Sequence, residues 1–418
     1  MRLERVCAGL IFLAAGIGLG FSQGVISDWL DTATTTIVTN AKKLPGTSAA
    51  YYAYTAVAVY DAVESIDHRF QPFAVAVDPP QGAQEDAAAA AAAHDVLVHF
   101  FPDQQQMLHK QLAASLAAIP EGQARQDGTN AGKAVAAQWL AVRAGDGIEA
   151  PVTYTPGHGP GIWEPVPNVP APAPNVTPKP VEPWWTKFHP FALRSPDQFL
   201  VFLDPPPALD SAQWASDFNL TRRLGAQKST ERTPEQTETG LFWADNAALF
   251  ARAMKGLIVS RHLGTEDAAR MTAMSWVSIS DGFAAAMSAK YHFAFWRPYT
   301  AIRNADRAVN AATMAEASWT PLAPTPGHPE FPANHGTVTQ AFMDALSCFF
   351  GTDDVPITFT SSVTHTSRTF GNLQDPVKEV DWARIYGGMH YWHSVRQGNL
   401  LGRMVATYVC LNKFQPVP

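Results

Sequence analysis

Three short stretches near the C-terminal end hold the residues best suited to chemistry: KYHFAFWRP (Lys290 to Pro298), HPEFPANH (His328 to His335) and ARIYGGMH (Ala383 to His390). Together they supply a lysine, two arginines and several histidines, the donor set that grips a tetrahedral oxyanion. Lys290 and Arg297 stand seven positions apart. On one continuous helix they would share a face about 10 Å apart along the axis, with Pro298 ending the segment, and so bracket one phosphate-sized ligand. Arg384 and His390 fall on different helical faces, but Gly387 and Gly388 between them permit a bend that turns both side chains into one pocket. Pro332 and Asn334 precede the helical pattern Val338, Ala341, Phe342, Ala345, Leu346, Phe349. His335 is therefore expected at a helix N-terminus, where backbone N–H groups favour an anion.

The elements that must position these residues read as helical. Residues 50–67, 85–100 and 131–144 are alanine-rich with apolar positions recurring every three and four residues, which favours packed helices, and no alternating strand pattern competes with them. Thr233, Pro234 and Gln236 form the signature of a capping box, and Gly264-Thr265 before EDAARM opens a long helical run that leads into Lys290. Residues 151–210 hold about half of the 33 prolines together with Trp163, Trp184 and Trp185. Proline at this density excludes helix. Three tryptophans favour a segment that wraps the core over a free linker. The expected fold is all-α, a helical-bundle assembly with a long proline-rich connection, in one domain over 25–418.

Composition narrows the partners. With 418 residues, 46% of them hydrophobic, the chain buries one large core or two smaller ones, and a net charge of −7 argues against nucleic acid. Arg2 and Arg5, the apolar run Cys7 to Gly20 and the small residues near Ser22-Gln23-Gly24 read as a signal peptide over 1–24, implying secretion or a periplasmic location. No later segment is long and apolar enough to span a membrane. Cys348 and Cys410 then remain; in an oxidising compartment they pair, although their apolar helical surroundings equally suit two buried thiols.

The order Lys-six-Arg-Pro, Pro-x-x-His and Arg-five-His resembles the vanadium-dependent haloperoxidase and type 2 phosphatidic acid phosphatase superfamily. VISDW, VAVYDAVESI, AAAAAHDVL, RAGDG and FWRPYTAIRNAD resemble segments of its secreted bacterial members, so the likeness runs along nearly the whole mature chain. The resemblance implies vanadate as cofactor, with phosphate as its isosteric occupant. It implies His390 as the axial ligand, Lys290, Arg297 and Arg384 as the cations on the equatorial oxygens, and His335 as general acid/base. In the phosphatases the residue matching His390 is the nucleophile. His328 matches a position that is histidine in bromide- and iodide-using enzymes. The implied reaction is oxidation of bromide or iodide by hydrogen peroxide, with a small organic molecule as the final acceptor and a second copy of the chain as an admissible partner.

Four departures qualify this. Ala333 replaces the motif serine, whose hydroxyl would meet an oxyanion oxygen, and Asn334 replaces glycine and offers a substitute donor. Ala383 replaces the serine before Arg384, and Met287 stands where haloperoxidases commonly carry tryptophan. Ser394 occupies the place of the phosphatase aspartate that orients the nucleophilic histidine, which weighs against an acid phosphatase. A non-catalytic oxyanion-binding protein is the third reading, favoured by the missing serine and opposed by His335. A zinc site built from His328, His365, His390 and His393 lacks a carboxylate or cysteine at ligand spacing. His94, His99, His189 and His262 are read as structural.

Overall fold

A computed structural model of the chain describes residues 24–166, 179–307 and 310–417. The apolar N-terminal run lies outside the described residues, as does part of the proline-rich stretch. Helices α1 (Val25–Thr34), α2 (Pro45–Asp67), α3 (Glu85–Phe100), α4 (Gln105–Ala117) and α5 (Gln123–Val142) come first. Then follow α6 (Ala212–Leu224), α7 (Pro234–Phe242), α8 (Ala248–Arg261), α9 (Thr265–Phe293), α10 (Pro298–Arg303), α11 (Asn334–Phe350), α12 (Gln374–Tyr386) and α13 (Trp392–Asn412). The architecture is all-α, with α2 packed on α3 and α9, and α9 in turn on α11 and α13. Among the described residues no helix is long and apolar enough to cross a membrane.

The alanine-rich pattern of α2 buries nearly every side chain from Gly46 to Ser65. Its N-terminus has no cap of its own, and the carboxylate of Glu182, from the proline-rich segment, accepts the backbone N–H of Thr47 at 2.7 Å. That segment lies against the core, with Trp163, Trp184 and Trp185 buried. Two aspartates inside helices serve as anchors for passing chain. Asp61 accepts the N–H groups of Phe73, Ala74 and Val75, and Asp281 those of Phe191, Ala192 and Leu193. The capping box of α7 and the start of α9 after Gly264 form where their sequence signals place them.

Three local expectations change. Lys290 and Arg297 do not share a helix: α9 ends at Phe293 with Ala294 in the left-handed region (φ 46°), Arg297 caps α10, and Pro298 opens that helix. The residues between are held out of helix by backbone bonds from Trp163 N to Ala294 O (2.7 Å) and from Trp296 N to Gly161 O (3.0 Å). A hairpin of β1 (Ile357–Thr360) and β2 (Ser367–Phe370) was not foreseen; Ile357 and Phe359 alternate inward along it. Cys348 and Cys410 form a disulfide between α11 and α13, with Cα atoms 6.4 Å apart, and Cys348 is exposed.

Candidate active site

The three motifs meet at the ends of α9, α11 and α12. Lys290 lies in the last turn of α9, and Arg297 at the start of α10. His335 is the second residue of α11, as its sequence context predicts, and Arg384 sits in the last turn of α12. The chain then bends through Gly387 and Gly388 (φ 72°), where a side chain is strained, and returns His390 towards Arg297. Helix α13 closes the site from behind. A Cβ at Gly398 would stand 2.6 Å from the carbonyl of Ala333, so glycine there lets α13 approach the start of α11.

Arg297 is the hub. Its Nε donates to His328 O (2.9 Å), Nη1 to Met389 O (3.0 Å) and to His390 Nε2 (3.2 Å), and Nη2 to His328 Nδ1 (3.0 Å). Lys290 donates to three carbonyls, Pro329 at 3.0 Å, Glu330 at 2.8 Å and Pro332, and so holds the 329–332 segment. Burial, then Arg297, push the Lys290 amine well below its usual value. The hydrogen bonds nevertheless argue for the ammonium, since three acceptors need three N–H groups. Arg384 is the least satisfied of the three cations: Nη1 donates to Trp243 O (3.2 Å), Nη2 faces the thioether of Met389, and the buried Nε has no partner among the described residues. Burial depresses Arg297 to about 10, and burial with Arg297 depresses Arg384 to about 9.

The histidines are held neutral. Burial and then the neighbouring cations push His328, His335 and His390 well below their ordinary value. His390 is enclosed, its Nδ1 2.8 Å from Glu330 Oε1. His335 carries no hydrogen bond to its ring among the described residues and lines a cavity of about 30 Å³ with Trp243, Asn246, Leu249, Phe250 and Phe283. Asn334 is buried, its Nδ2 3.4 Å from the sulfur of Met287 and its Oδ1 without a partner among the described residues. The other histidines lie apart: His365 belongs to the β-hairpin connection, and His393 Nε2 faces Asp204 O at 3.1 Å. No zinc cluster forms from them among the described residues.

The three buried cations lie near enough to oppose one another's charge, and one buried carboxylate, Glu330, faces two of them; burial raises it to about 7 against the pull of Lys290 and Arg297. Such a site is short of negative charge. Fully buried positive groups need a partner, and a tetrahedral oxyanion supplies the charge and the acceptors that Arg384 Nε lacks.

Residues 270–415 match the family described as the VCPO second helical-bundle domain. A bacterial vanadium-dependent iodoperoxidase superposes with a TM-score of 0.76 at 22% identity, covering 94% of this chain and 96% of its own. The apo and holo forms of a bacterial vanadium-dependent chloroperoxidase give 0.71 and 0.72, each at 15% identity and over 88% of this chain and 92% and 91% of their own. The chain has the vanadium haloperoxidase fold. No curated protein matches it.

On this haloperoxidase fold the structure brings together Lys290, Arg297, His328, His335, Arg384 and His390, with Asn334 next to His335 at the start of α11, and leaves His365 and His393 apart. It adds Glu330, which sequence reasoning passed over although it stands between His328 and His335 in the second motif. The available signal was a carboxylate within an apolar, proline-flanked run between two cationic motifs, a residue rarely buried without a partner. Trp243 O and the Met389 sulfur, which hold Arg384, carry no sequence signal of that kind. The missing aspartate at Ser394 does not leave the histidine unoriented, because Glu330 reaches it from another part of the chain.

Proposed function

We propose that the protein is a vanadate-dependent peroxidase that oxidises bromide or iodide with hydrogen peroxide. One observation carries the reading: Lys290, Arg297 and Arg384 are all buried and repel one another, while the one buried carboxylate at the site, Glu330, faces only Lys290 and Arg297, so an anion would complete the site. Vanadate fits the groups present. His390 would offer the Nε2 lone pair as ligand, Arg297, Arg384 Nε and the Asn334 amide would hold the anion by hydrogen bonds, and Lys290 would add its field from the loop it holds. Bound there, vanadate supplies Lewis-acid activation of peroxide towards the halide.

The chain's own residues do the rest. His335, neutral and free of protein hydrogen bonds, accepts a proton from the incoming peroxide at a ring nitrogen and returns it to the departing oxygen. Its cavity has room for a molecule of about water size, which suits peroxide or a halide ion. His328, neutral and fixed on Arg297, favours bromide or iodide by its place in the motif, and a small organic molecule takes the oxidised halogen. Secretion or a periplasmic location is supported by the Cys348–Cys410 disulfide, a bond that persists in oxidising compartments.

Phosphate-ester hydrolysis is a second reading, favoured by the Glu330 contact, which gives His390 the orientation that a nucleophile needs. Incubation of the purified protein with orthovanadate, followed by parallel assays of peroxide-dependent bromination and of chromogenic phosphate-ester hydrolysis, separates the two. Vanadate-dependent bromination supports the proposal; hydrolysis inhibited by vanadate supports the phosphatase. Tight anion binding with neither activity leaves an oxyanion-binding protein.

A further inference from the structure

We propose that Glu330 is the positioning residue of His390: it fixes the ring in the tautomer that carries its proton on Nδ1 and presents the Nε2 lone pair to the oxyanion. The inference rests on the reading of His390 as the oxyanion's ligand, and its geometry is two-sided. At Nδ1 stands a carboxylate, 2.8 Å away, which accepts; at Nε2 stands the Arg297 guanidinium, 3.2 Å away, which can only donate. Only the Nδ1–H tautomer satisfies both. An isolated imidazole prefers the opposite tautomer, with Nε2 blocked by its proton, so the environment must impose the useful one.

Glu330 is itself held so that it can do this. Its backbone N–H donates to Phe295 O (2.9 Å), its carbonyl accepts from Lys290 (2.8 Å), and Oε1 also receives the N–H of Tyr391 (3.1 Å). The side chain is fully buried between Phe295, Tyr391 and Ser394. Lys290 therefore acts on His390 through the loop: its ammonium clamps the carbonyls on both sides of Glu330 and sets the carboxylate against the ring. Ser394, one turn into α13, offers no carboxylate, and the residue five places before His335 takes over a task assigned elsewhere to a residue four places after the histidine.

The test uses full-length protein labelled with ¹⁵N-histidine, in which long-range ¹H–¹⁵N spectra distinguish the two tautomers and His390→Asn identifies the His390 signals. Wild type should show a protonated Nδ1 and an unprotonated Nε2. Glu330→Gln, which retains an acceptor oxygen, should keep that tautomer; in Glu330→Leu only the 3.2 Å contact with Arg297 still biases the ring, and the Nε2–H form should appear beside the Nδ1–H form. Orthovanadate, which needs the Nε2 lone pair, should bind Glu330→Leu about 10–100-fold more weakly, whereas inorganic phosphate should bind as well as before or better, because a negative charge has been removed. An Nε2–H signal in wild type overturns the proposal, as does an unchanged tautomer in Glu330→Leu. Equal strengthening of vanadate and phosphate binding would also overturn it, since that reports charge alone. Should Glu330→Leu fail to fold, wild type and Glu330→Gln decide the question. The tautomer is read without peroxide or turnover, so absence of peroxidase activity would defeat the proposed function and leave this inference standing.

Discussion

Arg384→Met should make the ligand-free protein more stable while removing most of its affinity for an oxyanion. Depression of the guanidinium from 12.5 to about 9 measures how strongly its surroundings oppose the charge, and corresponds to about 5 kcal/mol at 1.36 kcal/mol per pH unit. Methionine fills much of the same volume without charge, so the cavity penalty of an alanine is avoided. Against the relief stands the carbonyl of Trp243, which loses its donor at a cost of about 1–3 kcal/mol. The thioether of Met389 loses only a weak contact. The balance favours the variant by about 2–4 kcal/mol, the range seen when buried ions are replaced by apolar groups. Urea unfolding of dialysed, phosphate-free protein measures it. Inorganic phosphate should then narrow the difference: wild type gains about 2.7 kcal/mol at a hundred times its dissociation constant, whereas the variant, lacking one buried donor and binding about 2–4 kcal/mol more weakly, gains about 1 kcal/mol or less. If the ligand-free variant were clearly less stable than wild type, or if phosphate stabilised both equally, Arg384 would be an ordinary structural cation and the electrostatic argument for the site would fail.

Lys290→Met should act in the opposite sense, losing stability in unfolding experiments because three carbonyls lose their donor, about 1–3 kcal/mol for each that stays dry. His335→Gln should keep vanadate affinity within a few-fold in calorimetry and lower turnover by about 10²–10⁴. It should also flatten the acid limb of stability. The folded-state value of His335 lies below its unfolded 6.5, so its contribution is intact above pH 6.5 and is lost as pH falls; relative to the variant, wild type should lose stability progressively below pH 6.5. Ala333→Ser should raise unfolding free energy by about 1 kcal/mol, because Ala333 is the N-cap of α11 and makes no side-chain cap; unchanged stability with several-fold faster turnover would show the hydroxyl facing the anion instead. Replacing Cys348 and Cys410 by serine should destabilise the protein by about 4 kcal/mol, from the 62-residue separation they close, and alkylation of unreduced wild type followed by mass measurement should find neither thiol free.

The oxyanion motifs were legible in the sequence because their chemistry is local: proline and glycine punctuate each one, and His335 follows a recognisable helix start. The helices were legible for the same reason, through the repeated spacing in α2 and the capping signals of α7 and α9. The break between Lys290 and Arg297 was not. Helical spacing continues through Phe293, and what ends the helix is a distant backbone, Gly161 to Trp163, pairing with Ala294 and Trp296. Glu330 was hidden by the same kind of cause, since its partner His390 lies 60 positions away and neither residue's neighbours announce the other. The β-hairpin carries its alternation only at Ile357 and Phe359, too short a pattern to compete with helix.

The three cations differ in what they can offer an anion. Every proton of Lys290 is committed to the 329–332 loop, so it can meet the ligand only through its field. Arg297 is committed as well, but its 3.2 Å contact with His390 Nε2 is the longest of its four bonds, and that contact is the one a ligand on Nε2 must displace. Arg384 has a free Nε and a sulfur for a neighbour, and stands ready to donate. Affinity for the anion is therefore concentrated on Arg384 and on the Nη1 of Arg297 that faces His390. Lys290 governs geometry, by way of Glu330 and the His390 ring. A site arranged in this way binds oxyanions of several kinds through its charge. On the proposed reading, selectivity for vanadium over phosphorus would come from the one lone pair that Glu330 keeps open.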